Sequence, residues 1–387
     1  MDVTFHGAAV VRDGRAVREP LAVRAGRVAD APGDGAFVVP LRDHLIFPGL
    51  VNAHEHLQVN AVPPLPADRT FANSYDWIDA FQAHFDDPAV AAALAVSKAT
   101  RMRHGALKNL LAGTTFVAHH DPWHPSLDTA DFPVSLLRGH GWGYALNGPA
   151  FGPDVREGFL ATPSSSPWMI HLAEGTDERA RVELAQLDAM GCLAANSVLV
   201  HGVGIDDDGV DRLVARGAAV VWCPASNRRL LGRTLDPRRL YAAGRLALGS
   251  DSRLSGSRDL LDELASATDE GLPMSALLDL ATTAAARILR VTGRGHLDDG
   301  AVADMLIVVD HGASAPGGLV GRRRADLRAV VRDGRPCVAD PDFAPWFEAA
   351  GIETLAVSLD GKPKLLDRRY ADPAMFALEP GLEYLNG

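Results

Sequence analysis

Phe47-Pro48-Gly49-Leu50-Val51-Asn52-Ala53-His54-Glu55-His56 is the stretch on which the reading of this chain turns. An apolar approach passes through a Pro-Gly turn into a short strand that ends in two histidines one residue apart. Side chains at i and i+2 of a strand share a face, so His54 and His56 aim at one point beyond the strand end, while Glu55 faces the other way. Two convergent imidazoles begin a metal site, because neutral histidine is a favoured ligand of zinc and its neighbours. The pair alone is a weak sign, and the rest of the chain must complete it.

Working outward, the second half alternates strands and helices. Trp168 to His171, Ser197 to His201, Ala218 to Trp222 and Leu246 to Gly249 read as short apolar strands. Helical patterns lie between them, over Thr176 to Met190, Asp207 to Ala215 and Pro237 to Ala243, and another follows at Asp259 to Thr268. This alternation predicts βαβ units and a parallel sheet. The strands end in His171, His201 and Asp251, the placement a (β/α)8 barrel uses for its chemistry. Upstream, Asp87-Pro88 starts a helix expected to run through Leu111, and Gly113 to Ala118 is a strand opening onto His119-His120.

The expected fold is therefore α/β, a (β/α)8 TIM-type barrel over residues 47–300. One unit is shortened, because about six residues separate Leu137 from Tyr144, too few for a helical crossover. Residues 1–46 and 301–340 read as strands and turns that form a small β-sandwich domain from both termini. Residues 341–387 form a C-terminal extension with a short helix and a hairpin about Asp360-Gly361.

Composition excludes several classes of function. The 387 residues are 47% hydrophobic with a net charge of −11, which supports a sizeable core. No apolar run is long enough for a membrane span, and Met1 to Gly7 has neither a basic leader nor an apolar core. Three cysteines make no disulfide framework, so a cytoplasmic location is expected. The one compact basic run, Arg322-Arg323-Arg324, is followed closely by Asp326. Nucleic-acid and membrane partners are disfavoured, leaving a small-molecule substrate.

His54, His56, His171, Glu174, His201 and Asp251 each sit at or just past an expected strand end. A catalytic zinc takes three or more N/O ligands, keeps a position for water and lowers that water's pKa. A nearby carboxylate can carry protons between the water and a leaving nitrogen. Glu174, three residues after His171, is placed for that work.

PGLVNAHEH (48–56), HLAE (171–174), VHG (200–202), CPASN (223–227), GSDS (249–252) and GAVAD (300–304) together resemble the amidohydrolase superfamily, in the branch of cytosine, guanine and S-adenosylhomocysteine deaminases and chlorohydrolases. The resemblance runs from about residue 20 to about 335. It implies that His54, His56, His171 and Asp251 bind one divalent metal ion. Zinc is first, with Fe(II) and Mn(II) nearly as well suited to three histidines and a carboxylate. It implies Glu174 as proton shuttle, His201 as the group that orients substrate or water, and Asp251 as a base on that water. Some members hold two metals bridged by a carboxylated lysine. Here the only lysines are Lys98 and Lys108 in an expected helix and Lys362 and Lys364 in the tail, so a single metal is expected.

The implied reaction is hydrolysis of a C–N bond, foremost deamination of an amino-substituted heterocycle. Hydrolysis of an amide, cyclic amide, lactone or C–Cl bond is the enzymatic alternative, and a catalytically silent binding protein the non-enzymatic one. Homodimer assembly is compatible with the resemblance. For substrate contact the candidates are Trp77, His119, His120 and Arg253, the arginine as partner of an anionic group. Phe81, Trp142 and Trp222 can stack on a ring or fill the core equally well. Cys223 reads as a small buried residue.

Overall fold

The computed structural model describes residues 1–66, 68–147, 151–312 and 315–385. Its centre is an array of parallel strands: β1 (Leu50–Glu55), β2 (Thr114–His119), β3 (Ser135–Leu136), β4 (Gly141–Ala145), β5 (Trp168–Leu172), β6 (Ser197–His201), β7 (Ala219–Trp222) and β8 (Leu246–Leu248). A three-stranded sheet, β3-β2-β1, and a five-stranded sheet, β4-β5-β6-β7-β8, meet through a parallel bridge between Glu55 and Asp251. Chain neighbours are thus sheet neighbours, as in a TIM-type barrel. Among the described residues no strand pairing joins β3 to β4, so the ladder is open at that seam.

Two successive connections there lack a full helix, where one was expected. Between β2 and β3 there is only a 3-10 turn at Pro125–Asp128, and between β3 and β4 only residues 137–140. The brevity of β3 makes this possible: two residues of strand are about 7 Å long, a distance four residues can retrace.

Alternate residues of β5 to β7 enter two apolar clusters, as the two-residue period of a strand requires. Met169, Val198, Val200 and Val221 pack with Ala285 and Ile288 of the helix Thr283–Ile288. Trp168, Ile170, Leu199, Val220 and Trp222 pack against the outer helices. Burial on both faces is why these strands read as continuous apolar runs.

The helices begin where side chains satisfy their free N–H groups. Asp177 caps α5 (Glu178–Ala189) by accepting from Ala180 N, and Asp206 caps α6 (Asp207–Arg216) by accepting from Gly209 N. The helix expected from Asp87 to Leu111 is two, α2 (Pro88–Ala95) and α3 (Lys98–Leu111), because Val96 is extended and Ser97 caps α3 afresh. Sequence reading missed α1 (Ser74–Gln82), whose cap is Asn73.

The terminal segments form a four-stranded and a nine-stranded sheet. Phe5, Val10, Leu21, Ile46, Met305 and Trp346 share the core between them. Within the expected C-terminal extension, the strands Thr354–Leu359, Lys362–Asp367 and Leu382–Tyr384 extend the nine-stranded sheet. The strand His44–Pro48 leaves the same sheet and turns at Gly49 directly into β1. A Cβ on Gly49 would lie 2.9 Å from Asp304 Cβ, so only glycine lets the two layers approach here.

Candidate metal centre

Strand geometry delivers His54 and His56 from β1, His171 from β5, His201 from the end of β6, and Asp251 just after β8 to one end of the array. Ala173, His201 and Asp251 have φ of 53°, 76° and 54°, left-handed conformations rare outside glycine. Such backbone persists only when neighbours over-determine it. Ala173 N donates to Glu183 Oε2 at 2.7 Å, Gly204 N to Ala173 O at 2.7 Å, and Asp251 N to His54 O at 3.1 Å. Gly249 belongs to the same frame, since a Cβ there would come within 2.7 Å of His54 Cβ.

One ligand atom from each of His54, His56 and His171 lies within 4.8 Å of the others. His56 Nδ1 donates to Asp121 Oδ2 at 2.6 Å, and His171 Nδ1 donates to the carbonyl of Tyr144 at 2.7 Å. His201 Nδ1 meets Asn227 Oδ1 at 2.8 Å, and His54 Nδ1 meets His120 Nδ1 at 3.3 Å. With Nδ1 engaged on each ring, the Nε2 lone pairs are turned inward, the outer support usual for metal-binding histidines.

That arrangement needs a positive charge at its middle. His56 Nε2 and His171 Nε2 stand 3.2 Å apart, and fully buried His54 Nε2 has no hydrogen-bond partner. Asp251 Oδ2 accepts from Ser226 Oγ at 2.7 Å and from Ser255 Oγ at 2.5 Å, while Oδ1 stays 3.7 Å from His54 Nε2 and 3.6 Å from His56 Nε2. Burial opposes charge on His56, yet Asp121 and Asp251 raise its pKa to about 9. Burial also opposes charge on Asp251, but the surrounding histidines hold it well below the usual carboxylate range. Three inward nitrogens and one carboxylate oxygen fit a divalent cation.

Glu174 lies beside this cluster, with Oε1 3.5 Å from His201 Nε2. Burial first, and then Asp251, raise its pKa above the ordinary glutamate value. A carboxyl poised to hold a proton next to a cation site can act as acid and base. Ser74 N donates to Glu174 O at 2.9 Å, tying α1 to this residue.

Three sequence candidates for substrate contact are corrected. Arg253 donates through both Nη atoms to Glu379, at 2.8 and 2.6 Å, and through Nε to Arg258 O, so its guanidinium is committed. His119 and His120 are fully buried and do not line the cavity; His120 packs on His54 and His171. Trp77 and Phe81 do line it. Trp222 is core, with Nε1 donating to Thr234 at 2.7 Å, and Cys223 is buried with its thiol pushed far up.

Sequence reading missed Asp121, Asn227 and Lys108. Asp121 follows the His119-His120 pair and Asn227 closes CPASN, so both stood beside recognised residues without a role. Lys108 Nζ lies 2.7 Å from Glu55 Oε2, both fully buried beneath the two-histidine strand. Glu55 thus faces away from the cluster, as the strand period required.

Glu263 steadies α7 (Pro224–Leu231), accepting from Ala225 N at 2.8 Å. Burial raises its pKa from 4.5 to about 7. Between those values the folded chain keeps a proton the unfolded chain has lost, so this group lowers stability as pH rises, by about 3 kcal/mol above pH 7. Glu263→Gln should therefore gain urea resistance at pH 8 relative to wild type and little at pH 4.5. Equal midpoint differences at both pH values would count against it.

The comparisons agree with this geometry. The amidohydrolase family pattern matches residues 155–337. The chain is 25% identical to a 5-methylthioadenosine/S-adenosylhomocysteine deaminase of Nitratidesulfovibrio vulgaris strain DP4, over 95% of this chain and 93% of the relative. Its fold is similar to that of an adenosine deaminase of Xanthomonas campestris with bound zinc, with a TM-score of 0.69, 20% identity, and coverage of 90% of this chain and 97% of that one. It is also similar to the atrazine chlorohydrolase of Arthrobacter aurescens TC1 complexed with zinc, with a TM-score of 0.68, 16% identity, and coverage of 87% and 95%. Over residues 155–337 the chain thus matches the amidohydrolase family, and over most of its length it is similar to a deaminase in sequence and to a deaminase and a chlorohydrolase in fold, in line with the motifs.

Proposed function

We propose that this protein is a metal-dependent hydrolytic deaminase of an amino-substituted heterocycle. One observation carries the reading: Glu174, its pKa raised by burial, stands beside His201 at the rim of an inward-facing three-imidazole and carboxylate cluster. The full-length likeness to a named deaminase supports it. Residues 47–300 would form the catalytic body, and the terminal sheets its support.

His54, His56, His171 and Asp251 would hold one divalent ion, zinc foremost. When bound, the ion supplies an acidified water and a local positive charge. Asp251 Oδ1 receives a proton from the nucleophile, and its other oxygen stays anchored by Ser226 and Ser255. His201, fixed by Asn227, presents Nε2 to the substrate or the attacking oxygen. Glu174 delivers its proton to the ring nitrogen, which makes the adjacent carbon electrophilic; as carboxylate it then takes the proton of the added hydroxyl and passes it to the departing amine, and the proton held by Asp251 afterwards restores Glu174. Ammonia leaves, and the ring keeps the oxygen.

A cytoplasmic location is part of the same proposal. The three free, buried cysteines support it, and among the described residues no helix is long and apolar enough to cross a membrane. Metal-loaded protein incubated with aminated purines, pyrimidines, pterins and triazines should release ammonia from at least one ring class. A chelator should stop the release and zinc restore it. Chloride or carboxylic acid formation without ammonia would overturn the deaminase reading in favour of the other hydrolyses.

A further inference from the structure

The cavity over the cluster has a volume of about 230 Å³. Its inner wall is polar: His56, Asp121, His171, Glu174, His201 and Asp251. The outer wall is different. Trp77, Phe81 and Phe85 recur every four residues at and just past α1, so they share one face of that turn of chain. Trp77 and Phe81 stack at 5.7 Å, and Phe81 meets Phe85 edge-on at 5.3 Å. Tyr144 and Phe151 form a second aromatic pair, with ring centres 5.0 Å apart. Val59, Ile78, Leu230 and Leu254 complete the wall. Phe85 and Phe151 keep 46% and 47% of their surface exposed, unusual for phenylalanine and suited to gripping something that enters between them.

The charge of the lining is equally one-sided. Asp121, Glu174 and Asp251 are acidic, and the neutral polar groups are Gln58, Gln82, Ser74, Ser252 and Ser255. Among the described residues neither lysine nor arginine lines the cavity, and neither occurs at 67, 148–150, 313–314 or 386–387. Two arginines close to lining or wall residues are engaged elsewhere. Arg253 is clamped by Glu379, and Arg179 lies over the Tyr75 ring and donates to Asn147 O. An anionic substituent lodged against the outer wall would lose its water there and meet neither lysine nor arginine.

We propose that the site takes a neutral amino-heterocycle carrying an apolar substituent and turns away the same ring carrying a carboxylate or phosphate. The ring occupies the polar inner wall, and the substituent lies between Trp77, Phe81 and Phe85 on one side and Tyr144 and Phe151 on the other. This rests on the deaminase reading for the ring, but the discrimination belongs to the wall.

The test separates the two. First, kcat/KM for ammonia release is compared between alkyl- and ω-carboxyalkyl-substituted, and between benzyl- and 4-carboxybenzyl-substituted, forms of whichever ring is turned over. The neutral member of each pair should be favoured by at least about 100-fold, and Gln82→Arg, which puts a cation into the lining, should narrow that gap. Second, calorimetric binding of the benzyl and 4-carboxybenzyl adenine pair to metal-loaded Glu174→Gln protein reads the wall without turnover. No ammonia from any ring, with the benzyl compound still binding preferentially, would sink the deaminase reading and keep the wall assignment. Equal handling of neutral and anionic partners, in turnover or in binding, would overturn the proposal.

Discussion

Glu174→Gln should lower ammonia release by about 10²–10⁴-fold, the usual contribution of a positioned acid–base group. Glutamine preserves size and hydrogen bonding but cannot carry a proton. Glu174 is held beside His201 and through its backbone to Ser74, outside the three-imidazole group, so metal content should be unchanged. The effect should fall mainly on kcat, because the proton transfers occur after the ring is bound. Elemental analysis together with turnover distinguishes this from a collapsed site: lost activity with lost metal would assign Glu174 a structural role, and retained activity would falsify the shuttle assignment.

Lys108→Met should destabilise the protein by about 3–5 kcal/mol, the cost of stranding one partner of a buried ion pair. Glu55 Oε2 accepts from Lys108 Nζ at 2.7 Å, from Asn109 at 2.9 Å and from Ser250 Oγ at 3.2 Å, and Oε1 accepts from Asn60 at 3.1 Å. Burial opposes charge on Glu55, but Lys108 together with the Asn109 and Asn60 hydrogen bonds outweighs it and keeps the pKa below the ordinary glutamate value. In wild type, stability from this group is present above about pH 4.5 and is lost as pH falls through the lowered folded value. Without Lys108, burial governs and raises the folded pKa, so the variant should lose more at pH 8 than at pH 5. Urea unfolding at the two pH values reads this directly. A Lys108→Met, Glu55→Gln double variant should recover much of the loss, since no unpaired charge remains. A single variant as stable as wild type would show that the pair contributes nothing.

The two-residue period makes the two-histidine strand legible in the amino-acid order alone: His54 and His56 one way, Glu55 the other. Burial on both faces makes β5 to β8 legible as parallel strands. What the sequence hides is long-range pairing. Nothing in α3 marks Lys108 as the partner of Glu55, 53 residues earlier, because the helix and strand meet only in three dimensions. Arg253 looks available because it follows Asp251 by two residues. Its partner, Glu379, lies 126 residues on, in a segment that reads as an appendage. His119 and His120 look like loop residues in a polar run, yet β2 extends through His119 and buries both. α1 is easily overlooked because its apolar positions, Tyr75, Trp77, Ile78 and Phe81, face a cavity as well as a core.

Glu379 also bears on how the chain is made. Its carboxylate sits among His104, Arg253 and Arg324, drawn from α3, the segment after β8 and the terminal layer. Synthesis runs from the N-terminus, so those groups emerge from the ribosome well before the residue that neutralises them. The loop beyond Asp251 is therefore braced late, and chains released a few residues short of Glu379 would carry every histidine of the cluster while lacking the carboxylate that clamps Arg253.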